Sequence, residues 1–142
     1  LNDFIQTIYQ LDIMLDPFYF GAGTVFYQSV ACGVPVITMP SKYLKANVAK
    51  GGYKEMMLKD APIAKNKEEY VELCRILIRS EKERKSLSKQ IQEKAKRLMQ
   101  PSYEGMIELE SFIRDSIKYS RRGLKLDSTW NPANKNYIDY TN

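Results

Sequence analysis

The segment of residues 12–40 restricts the fold of this chain more than any other. It begins with the apolar run Ile13–Leu15, whose pattern is typical of a strand buried on both faces. Gly21 and Gly23 follow, and glycine permits both a tight turn and a close approach of the backbone to a ligand. A loop of this kind, between a parallel strand and a helix, is where α/β proteins bind phosphate groups. The segment therefore predicts a phosphate-binding turn.

The residues around this loop predict how the rest of the segment folds. A helix is predicted over about residues 24–32, with Thr24 as its N-cap and Gly33 at its C-terminal end. A second strand is predicted over residues 35–39, where β-rich apolar residues resume. Asp16 directly follows the first strand, and we expect it to cap the loop rather than to contact a ligand.

Short helices are predicted on either side of this segment. Residues 1–11 predict a helix that leads into the first strand. Residues 43–50 predict another, which Gly51 and Gly52 are expected to end. Residues 53–58 fit either a brief edge strand or one helical turn, and the pattern does not decide between them.

Three amphipathic helices are predicted in the second half of the chain, because apolar residues recur there at steps of three and four. Asn66 caps the first, Pro101 and Ser102 separate the last two, and the third closes near residues 121–123. We expect the apolar stripes of all three helices to be core. Their members are Tyr70, Leu73, Cys74, Leu77 and Ile78 in the first helix, Leu87, Ile91, Ala95 and Leu98 in the second, and Tyr103, Met106, Ile107, Ile113 and Ile117 in the third.

This order of elements predicts an α/β fold with two or three parallel strands and flanking helices, followed by three amphipathic helices. A complete doubly wound sheet usually has five or six strands. Residues 1–123 are therefore interpreted as the C-terminal half of a Rossmann-like domain, and residues 124–142 as a polar tail, loosely ordered unless Trp130 docks. An incomplete sheet has an open edge, which predicts possible self-association.

The charge pattern favours a solvated helical surface over a nucleic-acid interface. The net charge of +5 comes from 22 basic and 17 acidic residues, and most of the excess lies in the second half. Glutamates are interspersed with these basic residues, and no aromatic residues that could stack on bases alternate with them. The pattern therefore argues against nucleic acid as a partner.

The absence of several residue types and segments narrows the chemistry further. The chain has no histidine, which removes the commonest general base and metal ligand, and no metal cluster is predicted. Cys32 and Cys74 are expected to be buried free thiols of a reducing, cytoplasmic compartment. No apolar run approaches the roughly 20 residues of a membrane span. Leu1 without a preceding Met is interpreted as a cut within a longer protein.

The segment DIMLDPFYFGAGTVFYQSVACGVPVITMP, from Asp12 to Pro40, resembles a known family. It is similar to the C-terminal nucleotide-sugar domain of GT-B glycosyltransferases, specifically the O-linked N-acetylglucosamine transferase family and its bacterial relatives. The shared features are a Leu-Asp-Pro-Phe strand end, a Gly-rich loop with a Thr, and a Gly-x-Pro-x-(Val/Ile)-Thr-Met-Pro strand. The stretch IAKNKEEYVELCRIL, Ile63 to Leu77, also resembles the next helix of that family, and the resemblance spans about residues 1–120.

The resemblance implies a donor-binding part of a glycosyltransferase. Such an enzyme moves a sugar, N-acetylglucosamine or a hexose, from a UDP-sugar to a protein side chain, in a cleft between two Rossmann-like domains. It implies no cofactor beyond the UDP-sugar donor and no metal. The family's diphosphate-binding Lys and acceptor-side residues lie upstream, in an N-terminal half that this chain lacks. No catalytic residue is therefore assigned here, and the fragment is expected to be inactive alone.

The resemblance also implies roles for individual residues. The diphosphate would meet Gly21, Ala22, Gly23, Thr24 and Val25, with the ribose at Gln28 and the uracil beside Phe4. Gly23 stands where the O-linked transferases have a His, and Thr24 matches the first of two threonines. Val25 replaces the second Thr and so lacks a hydroxyl donor. Gln28 replaces an acidic residue, so a ribose hydroxyl would lose a charge-assisted hydrogen bond.

These replacements leave a second interpretation open, that of a degenerate nucleotide-sugar fold that only binds partners. Lys42 and Lys45 follow the second strand and are interpreted as solvated lysines in preference to diphosphate ligands. Tyr19 and Phe20 are expected to pack under the loop in preference to lining a sugar pocket.

Overall fold

The computed structural model describes residues 2–100, 103–127 and 130. It divides into two compact units, with the boundary between Gln100 and Pro101. The predicted division into a partial domain of residues 1–123 and a polar tail of residues 124–142 stays a prediction, since most of residues 124–142 lie outside the described ones.

The first unit is built on a small parallel sheet. Strand β1 (Met14–Leu15) pairs with β2 (Val36–Ile37) in the register Met14 to Val36 and Leu15 to Ile37. Thr38 continues the sheet through a parallel bridge to Ile63. The prediction of two or three parallel strands is therefore confirmed in number, but the ladders are shorter than predicted. β1 is also less buried than predicted, because Leu15 at the edge of the sheet is half exposed.

Helices surround this sheet. In the first unit they are α1 (Asn2–Tyr9), α2 (Thr24–Ala31), α3 (Val48–Glu55), α4 (Lys67–Arg79) and α5 (Glu81–Ala95), with short 3-10 turns at Leu44–Ala46 and Lys96–Met99. The core between sheet and helices includes Phe26, Val30, Ile37, Met56 and Ile91. The arrangement is compatible with part of a Rossmann-like domain. Among the described residues, no helix is long and apolar enough to cross a membrane.

Tyr53 closes the side of β2 that faces away from β1. Its hydroxyl accepts a hydrogen bond from the Val36 N–H at 2.8 Å and donates one to the Val36 carbonyl at 2.9 Å. One buried side chain thus satisfies two backbone groups that a neighbouring strand would otherwise satisfy. Burial raises the pKa of Tyr53, so the hydroxyl keeps its proton and both bonds persist at neutral pH.

Helix α3 runs through Gly51 and Gly52, so the predicted helix break at this pair is wrong. Residues 53–55 form the last turn of this helix. Of the two interpretations of residues 53–58, an edge strand or a helical turn, the helical turn is therefore correct. A Cβ on Gly52 would lie 2.2 Å from Cε1 of Phe26. The glycine therefore permits close packing between α2 and α3, and this packing offsets a helix-propensity cost of about 1 kcal/mol.

Two of the predicted helix boundaries are confirmed by local geometry. The Asn66 side chain accepts a hydrogen bond from the Glu69 N–H at 2.8 Å and caps α4. Gly33 follows the end of α2 with φ of +78°, a conformation that favours glycine.

The prediction that three apolar stripes form the core is correct for the first two helices and wrong for the third. In α4 and α5 the residues Tyr70, Leu77 and Ile91 are buried, although Ile78 is exposed. Helix α6 (Tyr103–Ser120), in the second unit, has no buried residue. The described part of this unit has one regular element, α6, so it supplies no second layer to cover the stripe. Trp130 does dock there: its ring packs edge-on against Phe112 at a centroid distance of 5.3 Å.

The two glycines of α3 form a matched pair for a stability test. Gly52→Ala should destabilise the first unit by about 1–3 kcal/mol, because the new methyl group would collide with the Phe26 ring. In Gly51→Ala the new methyl group has no neighbouring atom within 4 Å. This substitution should therefore stabilise the helix by roughly 0.5–1 kcal/mol. Urea unfolding followed by circular dichroism measures both. Equal effects of the two substitutions would contradict the packing role of Gly52.

Candidate functional site

Two loops meet at the carboxyl ends of the parallel strands. The first, residues 16–23, joins β1 to α2, and the second, residues 38–47, leads from β2 to α3. The Gly21 N–H donates a hydrogen bond to the Lys45 carbonyl at 2.8 Å and so links them. This end of a parallel sheet is where open α/β folds bind ligands.

Asp16 holds the first loop in place. Its Oδ1 accepts a hydrogen bond from the Ala22 N–H and its Oδ2 accepts one from the Thr38 hydroxyl, each at 2.6 Å. The carboxylate is almost fully buried, and both oxygens have a donor, as a buried charge requires. The prediction that Asp16 caps the loop is confirmed. The Thr38 partner was not predicted, since nothing in the sequence relates residues 22 positions apart.

The backbone of Asp16 connects the loop to β2 and α4. Its N–H donates to the Ile37 carbonyl at 2.9 Å, and its carbonyl accepts a hydrogen bond from the Tyr70 hydroxyl at 3.2 Å. Burial raises the pKa of Tyr70 to about 12, so this hydroxyl is protonated over the physiological range. Phe18 packs edge-on against the Tyr70 ring at 4.9 Å, which fixes the start of the loop.

The loop leaves two adjacent backbone donors unpaired. Among the described residues, no acceptor bonds the N–H groups of Gly23 and Thr24. The Gly21 and Ala22 donors are bound inside the protein, and the Val25 N–H donates to the Ala22 carbonyl at 3.0 Å. Of the five residues expected to meet a diphosphate, two therefore keep a backbone donor available at the start of α2.

The predicted N-cap was misplaced by one residue. Gly23, with φ of +51°, precedes α2, and Thr24 is the first helical residue. No side chain caps this end of the helix. The Thr24 side chain is exposed, and its hydroxyl forms no hydrogen bond within the described residues. An uncapped helix N-terminus carries a partial positive charge that attracts anions.

The remaining predicted contacts lie on two helices. Val25 and Gln28 are half-buried on α2, and Phe4 is half exposed on α1. Helix α1 packs against α2, which places these residues on neighbouring elements. Their predicted roles toward ribose and uracil stay predictions.

Aromatic and basic side chains project from the two loops. Tyr19 and Phe20 are 80% and 68% exposed, so the expectation that they pack under the loop is wrong; Phe18 takes that role. Lys42 and Lys45 are exposed, as predicted, and their ammonium groups lie 5.1 and 5.9 Å from the centre of the Tyr43 ring. The second loop thus carries two positive charges within cation–π distance of one of its own aromatic rings.

The cysteines and acidic residues show no sign of reactive chemistry. Cys32 and Cys74 are free and half-buried, and burial raises the pKa of the Cys74 thiol, which opposes formation of a nucleophilic thiolate. In the part of the chain that the structure describes, no three Cys, Asp or Glu side chains converge as metal ligands would.

The fold is similar to a solved structure of known activity. A mutant of the O-GlcNAc transferase of Thermobaculum terrenum matches 68% of this chain with a TM-score of 0.63 at 19% sequence identity. The chain spans 18% of the length of that protein. No protein-family profile and no curated protein sequence matches the chain. At this identity the likeness concerns the fold alone, and it agrees with a partial Rossmann-like domain.

Substitutions at two threonines test whether Asp16 couples the loop to the end of β2. Thr38→Val removes one donor to a buried carboxylate and should destabilise the first unit by about 1–3 kcal/mol. Thr24→Val removes an exposed hydroxyl without a partner and should change stability by no more than about 0.5 kcal/mol. Chemical denaturation measures both, and hydrogen exchange should show faster exchange of the Ala22 amide in Thr38→Val alone. Unchanged exchange of the Ala22 amide in Thr38→Val would contradict a coupling of Thr38 to that amide through Asp16.

Proposed function

We propose that this chain is the donor-binding part of a glycosyltransferase that moves a sugar from a UDP-sugar to a protein side chain. The sugar is N-acetylglucosamine or a hexose. The supporting observation is the pair of unpaired N–H groups, Gly23 and Thr24, at the uncapped start of α2, in a fold similar to that of an O-GlcNAc transferase. Backbone donors and a helix N-terminus together bind phosphate groups in many α/β proteins.

The donor would bind with its diphosphate at this helix start. Gly23 and Thr24 would donate to phosphate oxygens, and the exposed Thr24 hydroxyl would add a third donor. Asp16 would contribute indirectly, since it fixes the Ala22 amide and thereby the path of the loop. Gln28 would face the ribose and Phe4 the uracil, one helix away.

The chemical step depends on charge stabilisation at the leaving diphosphate. Negative charge grows on the diphosphate as the sugar leaves, and preorganised donors stabilise that charge without reorganisation. The described loop supplies part of this stabilisation. The other wall of the cleft, with the acceptor site and a cationic ligand, would come from a further N-terminal half of a GT-B enzyme.

A second candidate is a non-catalytic interaction module of the same fold. Three observations favour it. Val25 supplies no hydroxyl, and the Gly21, Ala22 and Val25 amides are bound within the protein. A buried carboxylate also lies directly under the loop. This candidate predicts no specific affinity for a nucleoside diphosphate.

Calorimetric titration with UDP distinguishes the two candidates. The donor-binding function predicts saturable binding in the millimolar range or tighter, since a few hydrogen bonds and one helix terminus carry it. Thr24→Ala should weaken binding by roughly threefold to tenfold, while Thr24→Ser should retain it. Ser86→Ala, on α5, is the control and should bind like the parent. Absence of saturable UDP binding would support the interaction module.

The isolated chain should not turn over a UDP-sugar. The described residues supply one wall of the proposed cleft, and one wall alone would neither orient an acceptor nor exclude water from the reacting bond. Release of UDP from UDP-N-acetylglucosamine and from UDP-glucose, followed by a coupled assay, measures this. Steady hydrolysis or transfer by residues 1–142 would refute it.

A further inference from the structure

Positive charge is unevenly distributed along the first unit. Residues 1–41 contain no Lys or Arg, so the first loop and helix α2 carry no cationic side chain. The first two basic residues of the chain, Lys42 and Lys45, both lie on the second loop. Residues 17–54 contain no Asp or Glu, so no carboxylate within this stretch can pair with these lysines. The second loop is therefore the nearest source of cations in the sequence to the unpaired amides.

The backbone of Lys45 is fixed against the first loop. Its carbonyl accepts the hydrogen bond from the Gly21 N–H at 2.8 Å. Gly21 permits this approach, because a Cβ at that position would lie only 3.1 Å from the Lys45 carbonyl oxygen. Within the second loop, the Asn47 side-chain amide donates to the carbonyls of Ser41 and Tyr43 at 2.6 and 2.7 Å. These bonds hold the backbone around Lys45 in a defined position.

This position brings the Lys45 side chain within reach of the unpaired amides. Two residues span at most about 7 Å, so the Lys45 carbonyl oxygen lies no more than about 10 Å from the Gly23 nitrogen. A phosphate oxygen bound to that nitrogen would lie about 3 Å from it. The ammonium group of a lysine extends roughly 6 Å from Cα on a flexible stem. The side chain is thus long enough to meet a phosphate group at Gly23 and Thr24.

We propose that Lys45 is a cationic ligand of the donor diphosphate, with its ammonium group beside the amides of Gly23 and Thr24. This inference rests on the proposed donor-binding function and adds to it a source of positive charge within this chain. Positive charge is needed because the buried carboxylate of Asp16 lies under the same loop and repels an anion. An ammonium group on the second loop offsets that repulsion.

The position of the Lys45 ammonium group allows it to turn toward a ligand. The group lies 5.9 Å from the centre of the Tyr43 ring, and the side chain is exposed. A cation–π contact at an exposed site is weaker than a charge-assisted hydrogen bond to phosphate, so a bound diphosphate would draw the ammonium group from the ring. Lys45 should therefore contribute more to the affinity for UDP than for UMP, which carries less charge. The same ammonium group would stabilise the charge that grows on the leaving diphosphate.

Calorimetric titration of the full chain with UDP and UMP tests this role. Lys45→Met removes the charge and keeps most of the side-chain volume. It should weaken UDP binding roughly fivefold to tenfold, as for the loss of a charge-assisted hydrogen bond, and UMP binding by a smaller factor. Lys45→Arg keeps a positive charge and should retain UDP affinity within about threefold. Equal UDP affinities of the parent and Lys45→Met would overturn the proposal.

Two other lysines serve as controls for charge alone. Lys82→Met, at an exposed position of α5, removes the same charge and should bind UDP like the parent. Lys42→Met should weaken UDP binding less than Lys45→Met does, because among the described residues the Lys42 backbone has no bond to the first loop. Equal losses in Lys42→Met and Lys45→Met would overturn the assignment to Lys45. Thermal unfolding of Lys45→Met should match that of the parent, since the side chain is exposed.

The same titrations separate this inference from the proposed function. If UDP binds to the parent and Thr24→Ala weakens binding while Lys45→Met does not, the donor-binding function stands and the role of Lys45 is wrong. If UDP does not bind to the parent, both are wrong.

Protection from acetylation gives a direct measurement of the contact. The chain is treated with acetic anhydride with and without saturating UDP, and mass spectrometry of its peptides gives the extent of labelling at each lysine. UDP should protect Lys45 and leave the labelling of Lys82 unchanged. Equal labelling of Lys45 with and without saturating UDP would contradict the proposed contact.

Discussion

The organisation of the first unit depends on the hydrogen bonds of one buried carboxylate, that of Asp16. Its two oxygens bind the loop at Ala22 and the end of β2 at Thr38, and its backbone contacts Ile37 and Tyr70. A charge removed from water is tolerated only when its hydrogen bonds are made. The loop and the end of β2 must therefore be in place before the carboxylate is satisfied, and α4 is joined to them through the backbone carbonyl of Asp16. The bond to the carboxylate also removes the Ala22 amide from the donors that remain for a ligand.

The parts of the fold that depend on local chemistry could be predicted from the sequence. The α/β order follows from short apolar runs and helical periodicity, and the Asn66 cap follows from a side chain three positions before the amide that it binds. The break at Gly51 and Gly52 was wrong because glycine lowers helix propensity by only about 1 kcal/mol, which contact with Phe26 outweighs. That contact joins residues 26 positions apart, so no local pattern reveals it.

In the candidate site, too, the sequence predicts the features that depend on neighbouring residues and not those that depend on distant ones. The glycines and Thr24 locate a helix start after a strand, and the structure has one there. The sequence could not show which amides are free, because the acceptors of Gly21 and Ala22 lie in another loop and at the end of β1. It also predicted that α6 is buried, since periodicity identifies an apolar face but not what covers it. A loop held by internal bonds offers fewer donors than its residue types suggest, but it holds those donors in a fixed arrangement.

Tyr53 makes the two edges of the sheet unequal. Its hydroxyl and the bridge at Thr38 satisfy the outer side of β2, whereas the described residues place no strand beside β1. A sheet with two open edges can add strands in both directions and grow into a fibre. A sheet with one open edge can accept a single neighbour, after which growth stops. With the phenolic oxygen of Tyr53 on the outer side of β2, the side of this small sheet at which a strand could add is, among the described residues, that of β1.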